Sequence, residues 1–294
     1  MTMSTVNAIE ALAETEEIQL THVTQSAVGA IVRNEVEAQL DAAHRYPRSI
    51  TKFLQQAITM ATISQEVAES CIYSLPRDGK MITGPSVRLA EICASAYGNL
   101  QVAARVLDAE DTHITAQGAA WDMEKNLRCT VEVRRRITNR NGRRYSDDMV
   151  VTTGNAAASI ALRNAIFRVV PRAYVDGVYA KARSVAVGDA RTLEARREQV
   201  LQRLGALGVT QDRVLLRLEV NGITDIGIEQ LETLIGLGTA IKDGSQSIDE
   251  AFPEPAPAPT PEGQNGRRIG IGRKQAKSHP KNEAPTREPG SDDE

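Results

Sequence analysis

Aromatic side chains are scarce. They make up 3% of the 294 residues, and Trp121 is the single tryptophan. So few rings leave little for base stacking, and Trp121, beside an apolar strand, reads as a core residue. Cysteine is also rare: Cys71, Cys93 and Cys129 are an odd set of three. Their spacing fits neither a CxxC pair nor a disulfide framework, so a reducing cytosol is expected. The four histidines, His22, His44, His113 and His279, lie far apart in the chain. No apolar run is long enough to span a bilayer, and none follows a basic N-terminal stretch, so neither a membrane span nor a secretory signal is expected.

Several catalytic classes lack their residues. Gly79-Lys80 is preceded by Ser74 where a phosphate loop needs glycine, and Met81 follows where Ser or Thr is required. His113, Asp122 and Cys129 lack metal-ligand spacing. Glu124, Asp147 and Asp148 suggest a two-metal nuclease, yet acids beside a turn are usually solvated. No Ser-His-Asp or Cys-His set stands out, no internal repeat is visible, and no cofactor is expected.

What is present is a chain long enough for one or two domains with a buried core. Residues 1–45 form an acidic leader with seven Asp or Glu against two Arg, ending in a helix over Ala27 to Ala43. Ile31, Val32, Val36 and Leu40 make its apolar side. An α+β core is expected over 46–189. It opens with one amphipathic helix from Ser49 to Ser70, then a turn region, SLPRDGKMITGPSV, and a helix capped by Ser86 and Gly98. Residues 99–153 read as strands. Leu127, Cys129, Val131, Val133 and Ile137 alternate with Arg128, Thr130, Glu132, Arg134 and Arg136, and Arg135 breaks the apolar side. Asn139 to Gly142 is a hairpin turn, returning as a third strand over Arg143 to Thr153. A helix begins at Asn155 and stops at Pro171, and another runs through Ala173 to Arg183. A small helical bundle follows over 190–252, with Leu201, Leu204, Leu207, Val214, Leu215 and Leu218 inside. Eight of the twelve prolines fall from Pro253 onward, so 253–294 reads as a disordered tail.

The chain is net −3, but between Arg128 and Arg172 ten arginines, no lysine and three acids give about +7. Seven lie within seventeen residues: Arg128, Arg134, Arg135, Arg136, Arg140, Arg143 and Arg144. Arg163, Arg168 and Arg172 lie on or just after the next helix, where Asn164 and Arg168 share a face. Guanidinium groups grip phosphate bidentately, so a basic ribbon beside a basic helix points to a nucleic-acid backbone site. The alternative is a solvated ribbon whose charges pair with Glu132, Asp147 and Asp148. A scaffold meeting RNA or an acidic protein partner, and a metal-dependent nuclease, are the other function classes.

The order of helix, strand hairpins, arginine-rich strand and the alanine-rich GNAAASIALRNAIFRVVP resembles phage single-strand annealing recombinases of the Redβ, RecT and Erf types. More distantly it resembles the eukaryotic Rad-fifty-two annealing core. AQGAAWDMEKN and the helical stretch from LGALGV to DEAFP are similar to phage-borne members. The resemblance covers about residues 45–252. It implies a β-β-β-α unit with helices flanking a small antiparallel sheet, a helical module and a tail. It implies ATP-independent annealing of single-stranded DNA along an arginine groove. It also implies a homo-oligomeric ring or filament in the bacterial host cytoplasm, and a host single-strand-binding protein or phage exonuclease as partner. The expected DNA contacts are Arg128, Arg134, Arg135, Arg136, Arg140, Arg143, Arg144, Arg163, Asn164, Arg168 and Arg172. This chain departs from the pattern in using almost only Arg and few aromatics.

Overall fold

The computed structural model describes residues 27–77, 80–139 and 141–254. They lie within one unit of the chain, Met1–Pro255. The expected tail, apart from Pro253 and Glu254, and the leader before Ala27 lie outside the described residues. The fold is α+β, with helices around a two-stranded and a three-stranded antiparallel sheet.

Helix α1 spans 27–45. Its apolar side is not covered along its length: Val28, Ile31 and Val32 are all more than half exposed, and only Ala43 is buried. The single helix expected over 49–70 is two, α2 (Ile50–Ala61) and α3 (Gln65–Ser70). Thr62 leaves the helical region, and its hydroxyl turns back onto the Ile58 carbonyl. Ser64, in extended conformation, then caps α3 by accepting from the Val67 N–H at 3.2 Å. Short hydroxyl side chains compete for backbone groups in this way, and favour a new start over continuation.

The segment expected as a turn region is a hairpin, β1 (Ile72–Arg77) with β2 (Lys80–Pro85). Ile72 opposes Pro85 and Arg77 opposes Lys80. A two-stranded sheet is all edge, so Pro76 and Pro85 forfeit no interior ladder bond. Helix α4 (Val87–Tyr97) follows as expected. The buried Ser86 hydroxyl accepts from the Arg88 and Leu89 N–H groups, and Gly98 leaves the helix at φ 70°.

The main sheet has the order β3 (Leu100–Ala109), β4 (His113–Asp122), β5 (Leu127–Arg136). The expected third strand over Arg143 to Thr153 is absent. Thr138 and Arg144 make one isolated bridge, and helix α5 runs over Asp147–Val169. It starts eight residues before the expected Asn155. Asp147 and Asp148 in its first turn suit the positive end of the helix dipole. Gly154 does not break it, because that position lies against Ile114, where a side chain would clash. From there Gly154, Ala157, Ala161 and Ala165 recur at helical spacing, all buried. Opposite them, a methyl on Gly118 would overlap the Ala161 backbone. Small residues on both partners seat the helix directly on β4.

Helix α6 (Arg172–Val187) follows Pro171, and α7 (Leu193–Ala206), α8 (Gln211–Leu218), α9 (Ile228–Lys242) and the one-turn α10 (Ile248–Ala251) complete the described chain. One core gathers Phe53, Leu89, Tyr97, Ile166 and Val178, with Phe53 edge-on to Tyr97 at 5.1 Å. Full burial of one such side chain contributes about 2–3 kcal/mol. A second core joins Val200, Leu204, Val214, Leu231 and Leu234 to Ala68 and Ile72. Leu201, Leu207, Leu215 and Leu218 pack against it half-buried. Helix α9 reaches β1 because Gly236 has no side chain to meet Ser74.

Arg48 ties the entry of α2 to the sheet. It donates to the fully buried Asp122 at 2.7 Å and to Glu124 at 3.1 Å, and stacks 3.8 Å over Tyr97. Burial works against its charge, but the bonds to Asp122 and Glu124 outweigh this and hold its pKa above the ordinary value.

Candidate nucleic-acid interface

Strand alternation sends neighbouring side chains to opposite faces of the main sheet. On β4 the inner set is Ile114, Ala116, Gly118, Ala120 and Asp122, all buried, and α5 covers this side. The outer set is His113, Thr115, Gln117, Ala119 and Trp121, each half-buried. Register then places the neighbours. Gln101, Trp121 and Arg128 form one row across the sheet, and Arg105, Gln117 and Glu132 a second. Asp108, Thr115 and Arg134 make a third row, and His113 with Arg136 a fourth.

This outer face carries four arginines, Arg105, Arg128, Arg134 and Arg136, all exposed, against two acids, Asp108 and Glu132. Arg134 and Arg136 lie about 6.8 Å apart along one strand. Arg134 pairs with the exposed Glu110, a contact of the kind worth only about 0–1 kcal/mol. Arg105 donates to Gln117 at 3.0 Å. Trp121 is on this face, not in the core as expected, with Arg128 directly beside it.

The remaining expected contacts are distributed elsewhere. Arg135 continues the inner side of β5, where it donates to the Ser245 carbonyl at 2.9 Å. Leu127 starts that side but is 46% exposed. Arg143 is exposed past the end of β5, and Arg144 caps the Glu110 and Asp111 carbonyls between β3 and β4. Arg140 lies outside the described residues. Arg163 and Asn164 sit on α5, on the side of the sheet away from the outer face. The Arg163 guanidinium lies 5.0 Å over the Tyr73 ring, and burial lowers its pKa. It also donates to Asn164 Oδ1 at 3.2 Å. Arg168 is exposed on α5, and Arg172 pairs with Asp176 at 3.4 Å on α6. The outer-face arginines therefore share no groove with Arg163, because the sheet stands between them; Arg135, on the inner side, is the one ribbon arginine that lies with Arg163 near Tyr73 among the described residues. Arg105, Gln117 and the placement of Trp121 were missed. Alternation in Leu100 to Ala109 combined with strand pairing was the signal for Arg105.

The acids considered for metal are not gathered. Glu124 is bound by Arg48 and Asn99, while Asp147 and Asp148 open α5. Among the described residues no three His, Cys, Asp or Glu side chains form a metal-sized group. Burial pushes the Cys71 and Cys93 thiols up to about 12, so neither is a ready nucleophile at neutral pH. Among the described residues no helix is long and apolar enough to cross a membrane. The outer face offers fixed cations, one large ring and several amide and hydroxyl groups, a combination suited to a flexible polyanion. Compared with family models, curated proteins and solved structures, the chain gives no match.

Proposed function

We propose that this protein binds unpaired nucleic acid across the outer face of its three-stranded sheet and anneals complementary strands without hydrolysing a nucleotide. The observation that carries the reading is the row structure of that face: Arg105, Arg128, Arg134 and Arg136 spread along an open sheet, with Arg128 beside Trp121. Arginines on β3 and β5 neutralise phosphates and lower the repulsion between two polyanions. Trp121 stacks a base, and the flat surface leaves other bases free to test a partner strand. Base pairing and stacking then drive the product, so no acid–base group is required. The succession of β3, β4, β5 and α5 supports the likeness to single-strand annealing recombinases. A homo-oligomer would align several such faces and add avidity.

The test is annealing of two complementary labelled oligonucleotides at low salt, with neither nucleotide nor magnesium. Acceleration over the spontaneous rate, lost in an Arg134→Ala, Arg136→Ala variant, is the expected result. Binding of RNA but not DNA would redirect the reading to RNA. Cleavage on adding magnesium would replace it with a nuclease.

A further inference from the structure

A cleft of about 310 Å³ opens where the end of β5 meets the loop between α9 and α10. It is lined by Arg135, Arg136, Tyr145, Ser245, Gln246 and Glu250, among others. A second cleft of about 780 Å³ shares Arg135, Ser245, Gln246 and Glu250 with it. Volumes of this size suit a small ligand or one residue of a polymer. The loop is held in place, since the Ser245 and Gln246 N–H groups both donate to the Ala240 carbonyl, at 2.9 and 3.3 Å. Gln246 is only 8% exposed, and its Oε1 has no hydrogen-bond partner among the described residues. A buried amide oxygen without a donor is costly, and such groups are rarely left so. Glu250 is the one acid among the residues lining the smaller cleft, and its carboxylate already accepts from the Ser247 N–H.

The chemistry of a ligand follows from these groups. The exposed Arg136 calls for an anion, while Arg135, on the inner side of β5, already holds the Ser245 carbonyl. A buried carbonyl oxygen calls for an N–H donor. The half-buried Tyr145 ring offers a flat apolar surface. Arg136 belongs both to this cleft and to the outer face of the sheet, so a strand crossing that face leads here. We infer that the cleft is a nucleotide subsite: Arg136 takes the phosphate, Tyr145 stacks the base, and Gln246 Oε1 accepts an N–H from the base edge. The inference rests on the single-strand reading above. It adds a reason for strand preference. Thymine has one N–H, on its pairing edge, and a duplex uses it. Only an unpaired thymine presents that donor to Gln246.

The test compares two fluorescein-labelled thymidine oligonucleotides of one length, one unmodified and one methylated at every N3. Their backbone charge is identical. The wild-type protein should bind the unmodified strand about tenfold more tightly, the worth of one donor to a buried acceptor. A Gln246→Leu variant should bind both within about twofold, at unchanged salt dependence. Equal binding of the two strands by wild type overturns the subsite while leaving strand binding intact. Continued discrimination by the variant overturns the role of Gln246. If wild type binds neither strand at low salt, the single-strand reading falls, and the subsite with it. The wild-type comparison decides the matter even if the variant misfolds.

Discussion

Removing Arg134 and Arg136 together should change how binding depends on salt more than it changes the fold. Both are exposed on the outer face, and Arg134 makes only a surface pair with Glu110. If all four outer arginines contact phosphate, log K against log salt should have a slope of about −2.8, since each contact on a single strand contributes about 0.7. Affinity should then fall about 50-fold between 50 and 200 mM salt. In the Arg134→Ala, Arg136→Ala variant the slope should be about −1.4, and the same salt change should cost about sevenfold. Fluorescence anisotropy of a labelled oligonucleotide at four salt concentrations measures both. Arg168→Ala with Arg172→Ala is the matched control, because Arg168 is on α5 and Arg172 on α6, away from the outer face. It should leave the slope unchanged. Glu110→Gln, which frees Arg134 from its carboxylate, should strengthen binding about two- to threefold at low salt. An unaltered slope in the outer-face variant, or a flattened one in the control, would refute the placement of the strand.

Other outcomes follow from the same geometry. Trp121 is the only tryptophan, so its fluorescence should quench on adding a thymidine oligonucleotide and recover in high salt. An unresponsive signal removes it from the interface. Arg48→Ala leaves the fully buried Asp122 without its cation and should lower stability by about 3–5 kcal/mol in urea unfolding. Adding Asp122→Asn should recover part of that loss. Gly118→Ala forces β4 away from Ala161 and should cost at least about 1–3 kcal/mol by thermal melting. Burial alone would raise the Glu124 pKa, but bonds from Asn99 and Arg48 more than reverse this and hold it below the ordinary 4.5. Its stabilisation is therefore present above that value and lost as pH falls through the lowered one. Glu124→Gln should make stability less steep in pH across this acid range, and an unchanged slope would contradict the shift.

Much of the local structure was legible in the residues. Ser86 and Gly98 bound α4 as expected, because a hydroxyl acceptor and a positive φ are local requirements. Pro171 ended α5, and the alternation of Cys129, Val131 and Val133 with arginine marked β5. Asp-Gly between two short strands was a hairpin signal, but the prolines flanking it favoured a loop reading. Expecting Asn155 to start α5 was an error of the same kind: Val150, Val151 and Thr152 favour strands by composition, while the dipole-compatible Asp147 and Asp148 and the helical spacing of the small residues prevailed.

By itself the sequence determined that this chain is α+β, that its arginines crowd into one stretch, where α4 starts and stops, and where α5 ends. These depend on neighbours within a few residues. Tertiary structure decided which arginines share a surface. Gly118 and Ala161 let α5 seat on one side of β4, and that contact left Arg128, Arg134 and Arg136 on the other, joined there by Arg105 from a strand before the basic stretch. Side in a sheet is set by pairing register and by what covers it, and both are made between segments far apart in the chain.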